Sequence, residues 1–160
     1  MNPILRNILA VIVGFVTGSV VNMALVVTGP KIISPPAGVD VSKVESIAAS
    51  IHLFEPKHFV FPFLAHALGA LTGALVAYLI AASNRAIFSW VIGVLFLAGG
   101  IAASLMIPAP KWFIALDLLV AYLPMAWVAI CLGRRLTGAA SPAKARSQRC
   151  RSRPSTYPDL

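Results

Sequence analysis

Apolar residues fall in four blocks along the chain, each nearly free of charge. The blocks cover about 7–28, 58–82, 86–107 and 111–133, and each has the length of a helix that crosses the hydrocarbon core of a bilayer. None alternates in polarity with a period of two, as the strands of a membrane barrel do. The pattern predicts an all-α integral membrane protein: a four-span antiparallel helix bundle with a short amphipathic helix in its first outer loop. The turn at Ser83-Asn84-Arg85 is so short that the spans flanking it must run back along one another, and Pro108-Ala109-Pro110 is a rigid turn into the fourth span.

Small residues recur inside the blocks. Ala65, Gly69, Gly73, Ala77 and Ala81 fall every four residues in the second, and Ala10, Gly14, Gly18 and Asn22 do so in the first. Such stripes share one helix face and let backbones approach closely, within a chain or between the copies of a homo-oligomer. Paired antiparallel, these two bring Asn22 towards Ala65 and His66.

The first span is expected to stop at Gly29-Pro30. Ser42 and Glu45 then have the spacing of a capping box, followed by Val44, Ile47, Ala48 and Ile51 at helical intervals. They predict an amphipathic helix over 42–54, too short to span and suited to the membrane surface. Pro124 predicts a kink near Val120 and Ala121 in the fourth span. Trp90, Trp112, Trp127, Tyr78 and Phe59 lie mostly near span ends and read as interfacial anchors.

Composition agrees with the pattern. The 160 residues are 59% hydrophobic and 11% charged, more apolar surface than a soluble domain of this size can hide. The net charge of +8 would suggest nucleic acid in a soluble chain, but here its placement matters more. Arg6, Arg85, Arg134, Arg135 and the cations of the tail fall on one side of the predicted membrane. Lys31, Lys43, Lys57 and Lys111 fall on the other, offset by Asp40, Glu45 and Glu55. That asymmetry predicts cytoplasmic termini, and a compact chain with minimal loops fits a bacterial inner (plasma) membrane.

From 136 to 160 the composition turns to Ser, Pro, Ala and Arg, a disordered basic tail. Arg134 and Arg135 begin its cationic run and are suited to anionic lipid headgroups. The tail lacks the folded or aromatic support that would make nucleic acid a partner. Cys131 and Cys150 form neither a CxxC pair nor a disulfide framework. The amino-terminal apolar run is longer than a typical signal core and reads as a retained span.

Candidate chemistry comes from depth. At 1.5 Å rise per residue, His66 lies ~12 Å in from His58 and Asp117 ~9 Å in from Lys111. Asn22 lies ~9 Å in from Thr28, and Ser104 ~6 Å in from Pro108. Each span thus contributes one polar group to an outer-leaflet layer, with Tyr122 just below it. An intramembrane carboxylate beside an imidazole has two readings. One is a clasp that fixes helix register through interhelical hydrogen bonds. The other is a site that accepts and releases a proton near neutral pH.

His52, Glu55 and His58 have a spacing that could ligate a metal, but they straddle a helix end and a proline turn; they read instead as interfacial side chains. A hydrolytic triad of Ser104, His66 and Asp117 is permitted by depth alone. No phosphate-cradling loop, nucleophile elbow or HExxH motif is present. The sequence implies no catalytic residue, metal or cofactor. It predicts a small multi-pass membrane protein, a non-enzymatic accessory or assembly component of a larger membrane complex. The alternative is a proton-coupled small transporter or channel built on the Asp–His pair.

Overall fold

Each apolar block is helical in a computed structural model, which describes residues 2–138. The basic tail expected over 136–160 lies, past Gly138, outside the described residues. Among the described residues all regular structure is helical: α1 (Pro3–Ile32), α2 (Val44–Ser50), α3 (Val60–Ile80), α4 (Arg85–Met106), α5 (Lys111–Val120) and α6 (Leu123–Leu136). Four units are long and apolar enough to cross a membrane. They are α1, α3 with the 3-10 turn before it, α4, and α5 with α6 taken together.

Helix α3 is central, with α1 on one side and α4 and α6 on the other. Its contact with α1 is made by the two glycine stripes. A Cβ placed on Gly14 would stand 2.7 Å from the carbonyl oxygen of Gly73, and one on Gly18 2.6 Å from that of Gly69. The backbones therefore touch directly. Where lipid replaces water, apolar burial drives no association between helices, and such close packing must supply it.

Side chains at the ends of α1 hold the same alignment. Arg6 Nε donates to the Ile80 carbonyl at 2.6 Å, and Asn7 Oδ1 accepts the Ala82 N–H at 2.8 Å. At the far end Gly29 lies against Phe61. On its other side α3 packs through alanine: Ala67, Ala70 and Ala74 join Ile92, Phe96, Ala126 and Ala129 in the core. Ser89 on α4, fully buried, donates to the Ala74 carbonyl at 2.9 Å. The turn between α3 and α4 closes on Asn84, whose φ of 46° is left-handed and tolerated by asparagine better than by most residues.

Several expectations need correction. Helix α1 does not stop at Thr28 but runs through Gly29-Pro30 to Ile32. Pro30 falls in its last turn, where one bond, from the Ile33 N–H to the Gly29 carbonyl, closes the helix. The kink expected near Val120 is a complete break, with Ala121 and Tyr122 in a turn between α5 and α6. Pro124 has no N–H to donate back to Val120 and crowds that carbonyl, so the helical ladder cannot pass.

Tyr78 is buried against Gly133, whose missing side chain leaves room for the ring, and is no interfacial anchor. Phe59 is buried too. Its ring centroid lies 4.7 Å from Phe113 and 5.7 Å from Trp112, joining the entry of α3 to that of α5.

The capping box expected from Ser42 and Glu45 does not form. Asp40 competes for Ser42, accepting its hydroxyl at 2.6 Å and its N–H at 2.9 Å, and α2 starts only at Val44, without a side-chain cap. The reciprocal box stands instead at Glu55 and His58, where His58 Nδ1 accepts the Glu55 N–H at 2.9 Å. The other ring nitrogen of His58 lies 3.2 Å from the Ser34 carbonyl and ties the loop back to the end of α1.

The Asp40 turn has a pH signature. Hydrogen bonds from the Ser42 hydroxyl, then from its backbone N–H, hold the Asp40 carboxyl below its ordinary value of 3.8. A depressed carboxylate adds order that is complete above the unfolded value and is lost as pH falls through the folded one. Protection of the Ser42 amide against hydrogen exchange, corrected for intrinsic acid dependence, should therefore hold above 3.8 and decline below it. In Asp40→Asn that decline should be absent.

Candidate functional site

Three of the five polar residues expected in one layer meet. His66 Nδ1, on α3, lies 2.9 Å from both carboxylate oxygens of Asp117 on α5. The Tyr122 hydroxyl donates to Asp117 Oδ2 at 2.8 Å. The carboxylate is 5% exposed by residue and Tyr122 1%, while the His66 side chain keeps 22% of its surface open. A carboxylate taken into an apolar interior needs its lone pairs answered. Here one donor comes from a neighbouring helix and the other from the turn that ends its own.

Local sequence explains how Tyr122 arrives. Residues five apart on a continuous helix are separated by about 140° around the axis, so their side chains cannot meet. The break imposed by Pro124 turns Tyr122 out of register, to φ −117° and ψ −77°, and brings its hydroxyl back to the carboxylate. Gly100 on α4 makes room for it, since a Cβ there would collide with the Tyr122 hydroxyl and ring. The ring centroids of His66 and Tyr122 lie 5.7 Å apart, with the planes 30° from parallel. Among the described residues no buried side-chain nitrogen or oxygen lacks a hydrogen-bond partner.

The tautomer follows from the carboxylate. Asp117 accepts, so His66 carries its proton on Nδ1, and in the neutral ring Nε2 keeps a lone pair. The arrangement can orient an imidazole and stabilise a positive charge on it. The same arrangement, with the ring neutral, holds three segments together.

Asn22 and Ser104 do not join. The Cβ of Asn22 faces Gly69, 3.0 Å from where a side chain would begin there, and Asn22 makes no hydrogen bond to the cluster among the described residues. Ser104 donates to the Ile101 carbonyl of its own helix at 2.7 Å, which leaves the hydrolytic triad without its nucleophile. His52, Glu55 and His58 do not form a three-ligand group, although Glu55 and His58 meet in their capping box. Among the described residues no three His, Cys, Asp or Glu side chains gather closely enough to hold a metal.

Sequence reasoning missed two members of this architecture. One is Gly100 as the floor under Tyr122, whose only sequence signal is that it is a glycine inside the third apolar block. The other is the pair Arg6 and Asn7, which cap the C-terminal end of α3. No local pattern marks a partner so distant in sequence. The chain matches no protein-family model, no curated protein and no solved structure with which it was compared.

Proposed function

We propose that this chain is a multi-pass membrane protein, an antiparallel four-span bundle that serves as a non-enzymatic accessory or assembly component. Its Asp117 cluster is a polar clasp that fixes α3, α5 and α6 against one another. One observation carries the reading: the buried carboxylate is already engaged by two donors of its own chain, His66 and Tyr122. A site that binds a substrate ion keeps coordination open, whereas a clasp fills it. Positive residues at the amino end and the α3–α4 turn support cytoplasmic termini, and the compact chain with minimal loops fits a bacterial inner membrane. Contacts with anionic lipid through Arg134 and Arg135, and with another copy or a larger membrane complex, belong to the same reading.

The competing reading, a proton-coupled carrier, draws on the partly open His66 ring. Thermal unfolding of the detergent-solubilised protein across roughly pH 4 to 9 separates the two, because that range covers imidazole titration. For a clasp, wild type and Asp117→Asn should give parallel curves, the variant lower throughout. A transition present in wild type and missing from the variant would make the site protonatable and move proton flux in liposomes to the front. Release of the protein from membranes by alkaline carbonate would overturn the membrane reading itself.

A further inference from the structure

The C-terminal turn of α3 gathers cations from three other parts of the chain. Arg6 on α1 donates through Nε to the Ile80 carbonyl at 2.6 Å. Arg85, at the start of α4, donates through Nε to the Ala81 carbonyl at 3.2 Å. Tyr78, one turn earlier, packs against Gly133 of α6, the residue before Arg134 and Arg135. Neighbouring carbonyls thus hold two guanidinium groups by their inner N–H, and both side chains are half-buried at the root.

Fixing Nε leaves the outer edge of each guanidinium, with its Nη donors, without a hydrogen-bond partner among the described residues. The last carbonyls of a helix carry a partial charge of about −0.5 in all, too little to offset two full positive charges. The described carboxylates do not help. Asp40, Glu45 and Glu55 lie in the loop at the opposite ends of α1 and α3, and Asp117 is bonded to His66 and Tyr122. A concentrated positive site therefore stands at the polar end of four apolar helices, the level at which lipid phosphates lie.

We propose that Arg6 and Arg85, anchored on the Ile80 and Ala81 carbonyls at the end of α3, form a binding site for the headgroup of one anionic phospholipid. Arg134 and Arg135 lie at its rim. The pair acts as a positioned fork for a phosphodiester, and its geometry matters as well as its charge. The inference rests on the membrane-spanning reading and goes beyond it, because a topogenic charge needs no fixed position.

The test uses the full chain in a neutral detergent, titrated with phosphatidylglycerol and followed by thermal unfolding and native mass spectrometry. The expected result is saturable stabilisation and retention of one lipid, neither seen with phosphatidylcholine. Inorganic phosphate or glycerol phosphate should not reproduce either effect; if they did, the site would be one for soluble phosphate and the lipid proposal would fall.

Arg6→Gln with Arg85→Gln should weaken apparent binding about tenfold, as expected when two charge-assisted contacts are lost. The charge-conserving pair Arg6→Lys with Arg85→Lys should weaken it severalfold, because lysine lacks the fork. Should the glutamine pair not fold, the lysine pair carries the same decision. Equal losses from Arg6→Gln with Arg85→Gln and from Arg134→Gln with Arg135→Gln would show diffuse attraction and overturn the site. So would lysine variants that bind as wild type. Failure of the lipid titration with a protein still resistant to carbonate extraction would remove the headgroup site alone; release by carbonate would remove the membrane reading with it.

Discussion

Gly18→Leu should unfold or separate α1 from α3, at a cost of about 3 kcal/mol, the upper end of what overpacking costs. The position offers no easy relief. A first side-chain atom there would meet the Gly69 carbonyl oxygen at 2.6 Å and the Phe96 ring at 2.7 Å. The first obstacle is backbone of the central helix and cannot rotate away. The second is a core ring edge-on to Phe15, at 5.6 Å between centroids. Gly99→Leu on α4 is the matched control, since nothing lies within 4 Å of its added atom. Equilibrium unfolding of the two variants in mixed detergent should show a large loss for the first and little change for the second. Equal effects would mean that helix propensity or insertion, and not the α1–α3 contact, governs stability.

That contact was legible in the sequence because a four-residue period is a property of any helix, and two such stripes in adjacent spans have few other ways to meet. Depth along a span was legible for the same reason, which is why His66 and Asp117 could be assigned to one level. Direction around the axis was harder to read. Asn22 lies on the stripe that faces α3, yet its side chain meets Gly69 rather than the carboxylate. Ser104 satisfies its hydroxyl on its own helix, an option open to any serine in a span.

Tyr122 depended on a detail that spacing hides. Pro124 announces a disturbance, but only the geometry of the resulting break decides which side chain swings inward. Competition defeated the capping box, because Ser42 could serve either Glu45's helix or Asp40's turn and the nearer carboxylate won. Arg6 and Asn7 were illegible as caps because their acceptors lie in a different span.

Asp117→Ala should cost about 2–4 kcal/mol, the penalty for leaving two buried donors, the His66 Nδ1–H and the Tyr122 hydroxyl, without an acceptor. Tyr122→Phe should cost about 1 kcal/mol, the scale of a single hydrogen bond inside a membrane bundle. The informative quantity is the coupling between them. If the hydroxyl stabilises the fold through the carboxylate, Tyr122→Phe in the Asp117→Ala background should be neutral or stabilising, because it removes one orphaned donor. Gly100→Ala approaches the same bond from α4: its methyl would occupy the space of the Tyr122 hydroxyl and push the ring off Asp117. That variant should also lose its effect once the carboxylate is gone, apart from a residual packing strain. Unfolding free energies for the four-member cycle of Asp117→Ala and Tyr122→Phe, measured at one neutral pH, decide the matter. A Tyr122→Phe cost that persists undiminished without Asp117 would show that the tyrosine is held by packing alone, and the carboxylate would lose its role in joining the break to α3.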